Sequence, residues 1–172
     1  MPKKRRRDRN ARPEQCPCSS AKPYAGCCQP LHTGERAPAD AVELMRSRFS
    51  AVSLGLGDYL WSTLHSQHEA RANGQEAYQQ AMERGRSGVR YKKLHILDQR
   101  PADTDGIAQV LFHAEITRLR RDHSVVELSS FVEEEGRLRY ITGVMRRAAA
   151  LGHGLDELTI EHWDCGHGHH DH

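Results

Sequence analysis

Two hydrophobic periods run along this chain, and the point where one gives way to the other divides it. Between Asp40 and Gly55 the apolar positions Val42, Met45, Phe49 and Val52 recur at three- and four-residue steps, the spacing of one helix face. Asp40 is an N-capping type, Glu43 follows three residues later as in a capping box, and Gly55 supplies a stop. A helix is therefore predicted over about 40–54. Shorter helices are predicted over 58–64 and 75–84, the latter placing Tyr78 and Met82 four residues apart on one face. After Gly88 the period becomes two. Val110, Phe112, Ala114 and Ile116 alternate with Leu111, His113, Glu115 and Thr117, which predicts a strand buried on one face and partly covered on the other. Further strands fit near 90–98, 123–133 and 137–144, with turn signals at 103–106 (Asp-Thr-Asp-Gly) and 134–136 (Glu-Glu-Gly). Helices followed by an antiparallel meander predict an α+β domain.

Composition limits what else is present. Of 172 residues 37% are hydrophobic, so part of the chain is expected outside the core. Its apolar runs are a few residues long, far short of the roughly 20 that cross a bilayer, and the basic N-terminus lacks the apolar stretch of a signal peptide. A soluble, unexported, cytoplasmic protein is the expectation. The formal charge of +2 conceals a division. Lys3, Lys4, Arg5, Arg6, Arg7, Arg9 and Arg12 face one acid, Asp8, within the first 13 residues, whereas the remainder is net acidic. Such an arm has too little apolar surface to repay its ordering entropy, and basic blocks of this kind bind polyanions by counterion release. No aromatic residue is interleaved for base stacking.

Four of the five cysteines, Cys16, Cys18, Cys27 and Cys28, fall within 13 residues. Disulfides are disfavoured in a chain with no export signal, and adjacent cysteines pair poorly with each other. Four thiolates converging on one tetrahedral ion fit better, with zinc ahead of iron. Zinc ligands usually stand two to four residues apart within a pair, so spacing alone leaves a set of reduced, unliganded thiols open.

The stretch Cys16-Pro17-Cys18-Ser19-Ser20-Ala21-Lys22-Pro23-Tyr24-Ala25-Gly26-Cys27-Cys28 resembles the SEC-C motif, the zinc-binding module at the C-terminus of the SecA translocation ATPase. The resemblance implies Zn2+ held by the four cysteines. Ser19 and Ala21 stand where the motif usually has glycine; glycine commonly supplies positive φ in a ligand loop, so these two positions are expected to strain the turn. Leu31-His32-Thr33-Gly34-Glu35-Arg36-Ala37-Pro38, Leu44-Met45-Arg46-Ser47-Arg48-Phe49-Ser50-Ala51, Gly57-Asp58-Tyr59-Leu60 and Ser130-Phe131-Val132-Glu133-Glu134-Glu135-Gly136-Arg137, with Tyr140 and Gly143, extend the likeness to the bacterial YchJ family over about 15–145. Membership implies a SEC-C knuckle ahead of a nuclear-transport-factor-2-like cone, in which helices pack on a curved antiparallel sheet. The expected organisation is a basic arm over 1–14, a knuckle over 15–32, the α+β domain over 33–147 and a flexible histidine-rich tail over 148–172.

The C-terminus departs from relatives that carry a second SEC-C motif there. Cys165, His167, His169, His170 and His172, flanked by Asp164 and Asp171, offer thiolate, imidazole and carboxylate donors for a second, weak metal site, against the alternative of a solvated polar tail. Catalytic signals are sparse: there is no G-x-S-x-G, Walker loop, H-E-x-x-H or dinucleotide fingerprint. His65, His113, Glu115, Glu127 and Tyr140 are the ionisable residues placed to line a pocket between sheet and helices. The leading expectation is a non-catalytic, zinc-binding adaptor whose knuckle and basic arm contact a protein or polyanion; by resemblance to SecA, whose SEC-C module contacts a chaperone and the ribosome, that partner lies near translation or secretion. The alternatives are an enzyme or small-molecule binder using the domain pocket, and metal storage or delivery through the histidine tail.

Overall fold

A computed structural model describes residues 12–152 and 154–165. After a short helix α1 (Gln29–His32), the main helix α2 (Ala41–Leu54) begins where the capping signals place it. The Asp40 carboxylate accepts from the Glu43 amide at 2.8 Å, and Gly55 ends the helix at φ 75°. Glu43 reaches back one residue further than a regular capping box: it accepts from the Ala39 amide at 2.6 Å and pairs with Arg36. Helices α3 (Gly57–Ser62) and α4 (Gly74–Arg86) follow. Trp61 of α3 meets Tyr78 of α4 with ring centroids 5.6 Å apart, and the Arg71 guanidinium lies 4.4 Å over the Trp61 ring.

Five antiparallel strands form the sheet: β1 (Val89–Arg100), β2 (Ala108–Arg118), a two-residue β3 (Arg121–Asp122), β4 (Val125–Glu134) and β5 (Arg137–Arg147), in the order β1-β2-β4-β5 with β3 paired to β2. The fold is α+β, with α2 packed on one face of the antiparallel sheet. Strand alternation sorts side chains into two cores. Val110, Phe112 and Ala114 of β2, with Leu94, Val125 and Phe131, meet Leu44, Met45 and Phe49 of α2. The intervening residue Leu111 faces the other way and clusters with Val126 and Leu128.

The second cluster changes the expected boundary of the domain. The described part of the expected flexible tail, residues 148–152 and 154–165, folds back over the sheet's outer face. Two 3-10 turns lead into α5 (Ile160–Cys165), and Ile160 and Trp163 are each only 2% exposed. Asp98 accepts from the Ile160 amide at 2.8 Å, Arg100 pairs with Asp164 at 3.1 Å, and the Arg146 guanidinium stacks 4.6 Å over the Trp163 ring. The physical reason is the sheet itself: a strand with apolar residues on both faces needs cover on both. No helix among the described residues is long and apolar enough to cross a membrane.

Because Trp163 fills the outer core, Trp163→Ala is expected to lower the unfolding free energy by about 3–5 kcal/mol. Urea titration followed by far-ultraviolet circular dichroism reads this directly; a shift of a few tenths of a kcal/mol would mean that the outer face is not a core.

Candidate metal centre

The four cysteines are brought together by a loop whose closure is written in backbone hydrogen bonds. The Cys16 amide donates to the Lys22 carbonyl at 2.9 Å and the Tyr24 amide to the Glu14 carbonyl at 3.1 Å, which closes a tight loop over 16–22. A 3-10 turn, Tyr24–Gly26, then returns the chain, and Cys28 starts α1, with Pro30 in the first turn where its missing N–H has no helical partner to lose. The loop needs left-handed backbone at two places, and these are Ser19 (φ 63°) and Ala21 (φ 61°), the positions where the motif usually has glycine.

All four Sγ atoms lie within 4.8 Å of one another. Cys18 and Cys27 are 3.6 Å apart and Cys27 and Cys28 4.0 Å, well beyond an S–S bond, and all four are free thiols. A tetrahedron with Zn–S bonds of about 2.3 Å has S···S edges of about 3.8 Å. The cluster therefore has the dimensions of a closed four-thiolate site. Cys18 and Cys28 are fully buried and Cys16 nearly so, leaving Cys27 half-buried at the rim. Proton sharing inside the cluster follows from this crowding. The Cys16 and Cys28 thiols donate to Cys18 and hold it well below the usual thiol range, while the same sharing, with burial, pushes Cys16 up to about 11 and raises Cys28. A divalent ion relieves the arrangement by replacing those protons with one central charge.

The knuckle is joined to the α+β domain by polar contacts to α2 and β1. Arg46 donates to the Cys18 carbonyl at 2.8 Å, and Ser19 Oγ accepts from the Leu94 amide at 3.0 Å. Cys16 Sγ lies 3.8 Å from Ser50 Oγ. His32 carries a relay: its Nε2–H donates to the Ser47 carbonyl at 2.8 Å, so Nδ1 accepts from the Tyr24 hydroxyl, also at 2.8 Å. Burial lowers the His32 pKa and favours this neutral form. The apolar cluster of the knuckle, Cys16, Cys18, Tyr24 and Cys28 with Leu54 against it, is distinct from the two sheet cores. Arg46, Ser47, Ser50 and His32 carry this docking, and none was a candidate from sequence; all four lay inside the YchJ-like stretches, but no spacing assigned them a role.

The remaining candidates divide between the two sheet faces. Glu127 pairs with Phe112 across strands and so faces the helices, where it accepts from the Tyr140 hydroxyl at 2.9 Å and from Ser129 Oγ at 2.7 Å. Burial, then the Glu127 charge, raises the Tyr140 pKa. Above its ring, at 4.7 Å, lies the buried Arg48 guanidinium, which donates to the Leu60 carbonyl and to Thr63 Oγ1. His65 lies 3.5 Å from Glu134, and its amide donates to the Tyr140 carbonyl. His113 and Glu115 are on the outer face. They line a cleft of about 410 Å3 with Lys92, Thr117, Asp122 and Ser124, and Glu115 is bonded to His95 at 2.7 Å. Strand parity thus separates His113 and Glu115 from Glu127 and Tyr140. Of the arm, Arg12 is described and exposed, while Lys3, Lys4, Arg5, Arg6, Arg7 and Arg9 lie outside the described residues. Cys165 ends α5 as an exposed free thiol; His167, His169, His170 and His172 lie outside the described residues.

Helices on an antiparallel sheet, preceded by a compact cluster of four cysteines, define an NTF2-like domain carrying an N-terminal cysteine knuckle. The family model of the YchJ middle NTF2-like domain matches residues 40–143, and the chain belongs to the YchJ family. The solution structure of a SEC-C motif containing protein from Rhodopseudomonas palustris is similar, with a TM-score of 0.62 and 29% identity over 76% of this chain and 97% of that one. The crystal structure of a SEC-C motif containing protein from Psychrobacter arcticus shares the fold, with a TM-score of 0.61 and 23% identity over 75% of this chain and 81% of that one.

The two left-handed loop residues differ in what their side chains do, so glycine should affect them differently. Ala21→Gly is expected to stabilise the metal-loaded protein by about 1 kcal/mol, the cost of holding an L-residue there. Ser19→Gly gains about the same and loses the bond to the Leu94 amide, worth about 1 kcal/mol, for a net near zero. Paired chemical-denaturation curves distinguish them; equal gains would show that the Ser19–Leu94 bond contributes nothing.

Proposed function

We propose that this protein is a zinc-binding, non-catalytic adaptor of the cytoplasm. Cys16, Cys18, Cys27 and Cys28 hold one Zn2+, and the knuckle, with the basic arm that precedes it, contacts a protein or polyanion partner associated with translation or secretion. The observation that carries this reading is the gathering of four Sγ atoms within 4.8 Å of one another in a knuckle docked onto α2. The likeness to SEC-C motif containing proteins agrees with it. A metal enclosed by four cysteines keeps no open coordination position for substrate, which suits a structural ion better than a catalytic one. The separation of His113 and Glu115 from Glu127 and Tyr140 also leaves the pocket candidates without a common centre. Lys3, Lys4, Arg5, Arg6, Arg7, Arg9 and Arg12 then supply long-range attraction, and the knuckle a rigid surface.

Metal analysis of the purified full-length chain tests the first half. One zinc per chain is expected, falling to none in Cys18→Ser. That variant should keep most of the sheet's cooperative unfolding transition, because the knuckle's cluster is separate from the sheet cores. A chain that unfolds as cooperatively without zinc as with it, and retains no zinc at equimolar supply, would remove the metal from the account. A second equivalent, lost when His167, His169, His170 and His172 are replaced by serine, would favour metal delivery through the tail. Capture from lysate by the full-length chain, compared with a chain whose arm bases are serine, tests the second half; a partner retained equally by both would take the arm out of recognition.

A further inference from the structure

The sheet has two long edges, β1 and β5, at the ends of the order β1-β2-β4-β5. An edge strand presents backbone donors and acceptors without a ladder partner, and folded proteins blunt such edges with bulges, charged side chains or covering chain. β1 carries all three devices. Its register with β2 shifts between Tyr91 and Lys93 and again between Ile96 and Asp98, it bears Arg90, Lys92 and Lys93, and its Leu94 amide is taken up by Ser19 of the knuckle. Among the described residues β5 is covered only at its start. There the Tyr140 amide donates to the Thr63 carbonyl and the His65 amide to the Tyr140 carbonyl, after which the chain turns away with the His68 amide on the His65 carbonyl.

Beyond Tyr140 the edge is open. The Ala148 amide donates across to the Ser124 carbonyl, so strand alternation turns the amides and carbonyls of Gly143, Met145 and Arg147 the other way, out of the sheet. No described residue bonds to these outward groups. Thr142-Gly143-Val144-Met145 is an exposed run with neither charge nor proline. Val144 and Met145, 47% and 60% exposed, are two of the three large apolar side chains exposed among the described residues. Pairing with β4 fixes their directions: Val144 lies opposite Leu128, on the outer side, and Met145 opposite Glu127, on the helix side. Gly143 shares the helix side with Met145, and a Cβ there would overlap the Glu127 carboxylate and the Tyr140 hydroxyl. An apolar knob thus stands one step along the strand from a position that admits no side chain.

We propose that this open edge pairs antiparallel with the same edge of a second copy of the chain, across a two-fold axis at Val144, to make one continuous sheet. The strand's complementarity to itself identifies the occupant, as an isologous interface requires. With Val144 opposite its own counterpart, Gly143 falls opposite Met145 of the second copy, and the outward amide and carbonyl of each exchange both hydrogen bonds of a closely spaced pair. The Met145 side chain then fills the space over Gly143, and the two Val144 side chains meet in the tighter, non-hydrogen-bonded pairing. Arg146 and Arg147 fall opposite Thr142 and Ile141, so no like charges face each other. Other registers are worse: sliding towards the start of β5 runs the second copy into the chain over 63–65, and sliding the other way sets Arg146 opposite Val144. Face-to-face association through the outer side is closed to this chain, because Ile160 and Trp163 already cover it. The edge is separate from the basic arm and the knuckle, so the pairing goes beyond the adaptor reading and does not depend on it.

The test uses the full-length, zinc-supplied chain, with sedimentation equilibrium to read its mass and hydrogen exchange to locate the contact. A reversible dimer is expected at concentrations up to about 200 µM, since an interface this small associates weakly. Two variants should each weaken it at least about tenfold. Val144→Lys sets two ammonium groups together at the axis. Met145→Pro removes an amide that faces outward, so it deletes a bond to the second copy and none to β4, as an edge strand tolerates. Both should keep the parent's far-ultraviolet circular dichroism, and either one alone suffices if the other fails to fold. Exchange in peptides covering 141–147 should slow as the parent's concentration rises, while peptides from β1 stay unchanged. A chain that remains monomeric to about 200 µM overturns the proposal. So does a dimer that both variants leave intact, which would use another surface. Protection of 141–147 that is the same at every concentration also overturns it, because the chain's own arm or tail would then be covering the edge.

Discussion

Helix α2 is the constraint on which the rest of the structure depends, because it must be buried on two sides against partners of different chemistry. Leu44, Met45 and Phe49 enter the sheet core, an ordinary apolar contact. Towards the knuckle and α3 the same helix buries Ser47, Arg48 and Ser50, with Ser47 and Ser50 wholly inaccessible. Polar groups in that position persist only when each finds a partner. Ser47 Oγ bonds to the Leu44 carbonyl and the Tyr59 hydroxyl, Ser50 meets Cys16, and Arg48, stacked over the Tyr140 ring, donates to the Leu60 carbonyl and Thr63 Oγ1. These bonds are directional where the sheet contact is not, so they fix how the knuckle and α3 sit on α2. The hydroxyls are also small, which lets the cysteine loop approach the helix closely.

Much of this was legible in the sequence, and where it was, a period or a cluster made it so. Asp40, Glu43 and Gly55 bound α2, alternation from Val110 to Thr117 sets both faces of β2, and four cysteines in one short stretch mark the knuckle. Even the strain at Ser19 and Ala21 follows from asking which residues a ligand loop would replace with glycine. What was not legible depends on register and on distance along the chain. Parity places His113 and Glu115 on one face, but only the Phe112–Glu127 pairing reveals that Glu127 belongs to the other. The cover over Leu111, Val126 and Leu128 comes from Ile160 and Trp163, whose apolar neighbours follow neither a helical nor a strand period, so the segment reads as a polar tail. The knuckle's anchors were hidden for a similar reason: Arg46 and Ser47 read as the solvated side of an amphipathic helix until the cysteine loop is seen above them.

A loop with two residues in unfavourable backbone persists where a larger favourable free energy closes it. Holding Ser19 and Ala21 left-handed costs about 1–2 kcal/mol each. Under the zinc reading, the metal's apparent binding free energy in a small four-ligand module is about 10–16 kcal/mol, several times that cost, so the loop closes whether or not its turn residues are ideal. Once closure is assured by the ion, position 19 is free to serve another purpose. A glycine there relaxes the backbone but leaves the Leu94 amide without its acceptor; a serine strains it and ties the loop to β1. Ser19 therefore acts at the domain interface more than at the metal, while Ala21, with no comparable bond, carries strain that nothing in its side chain offsets.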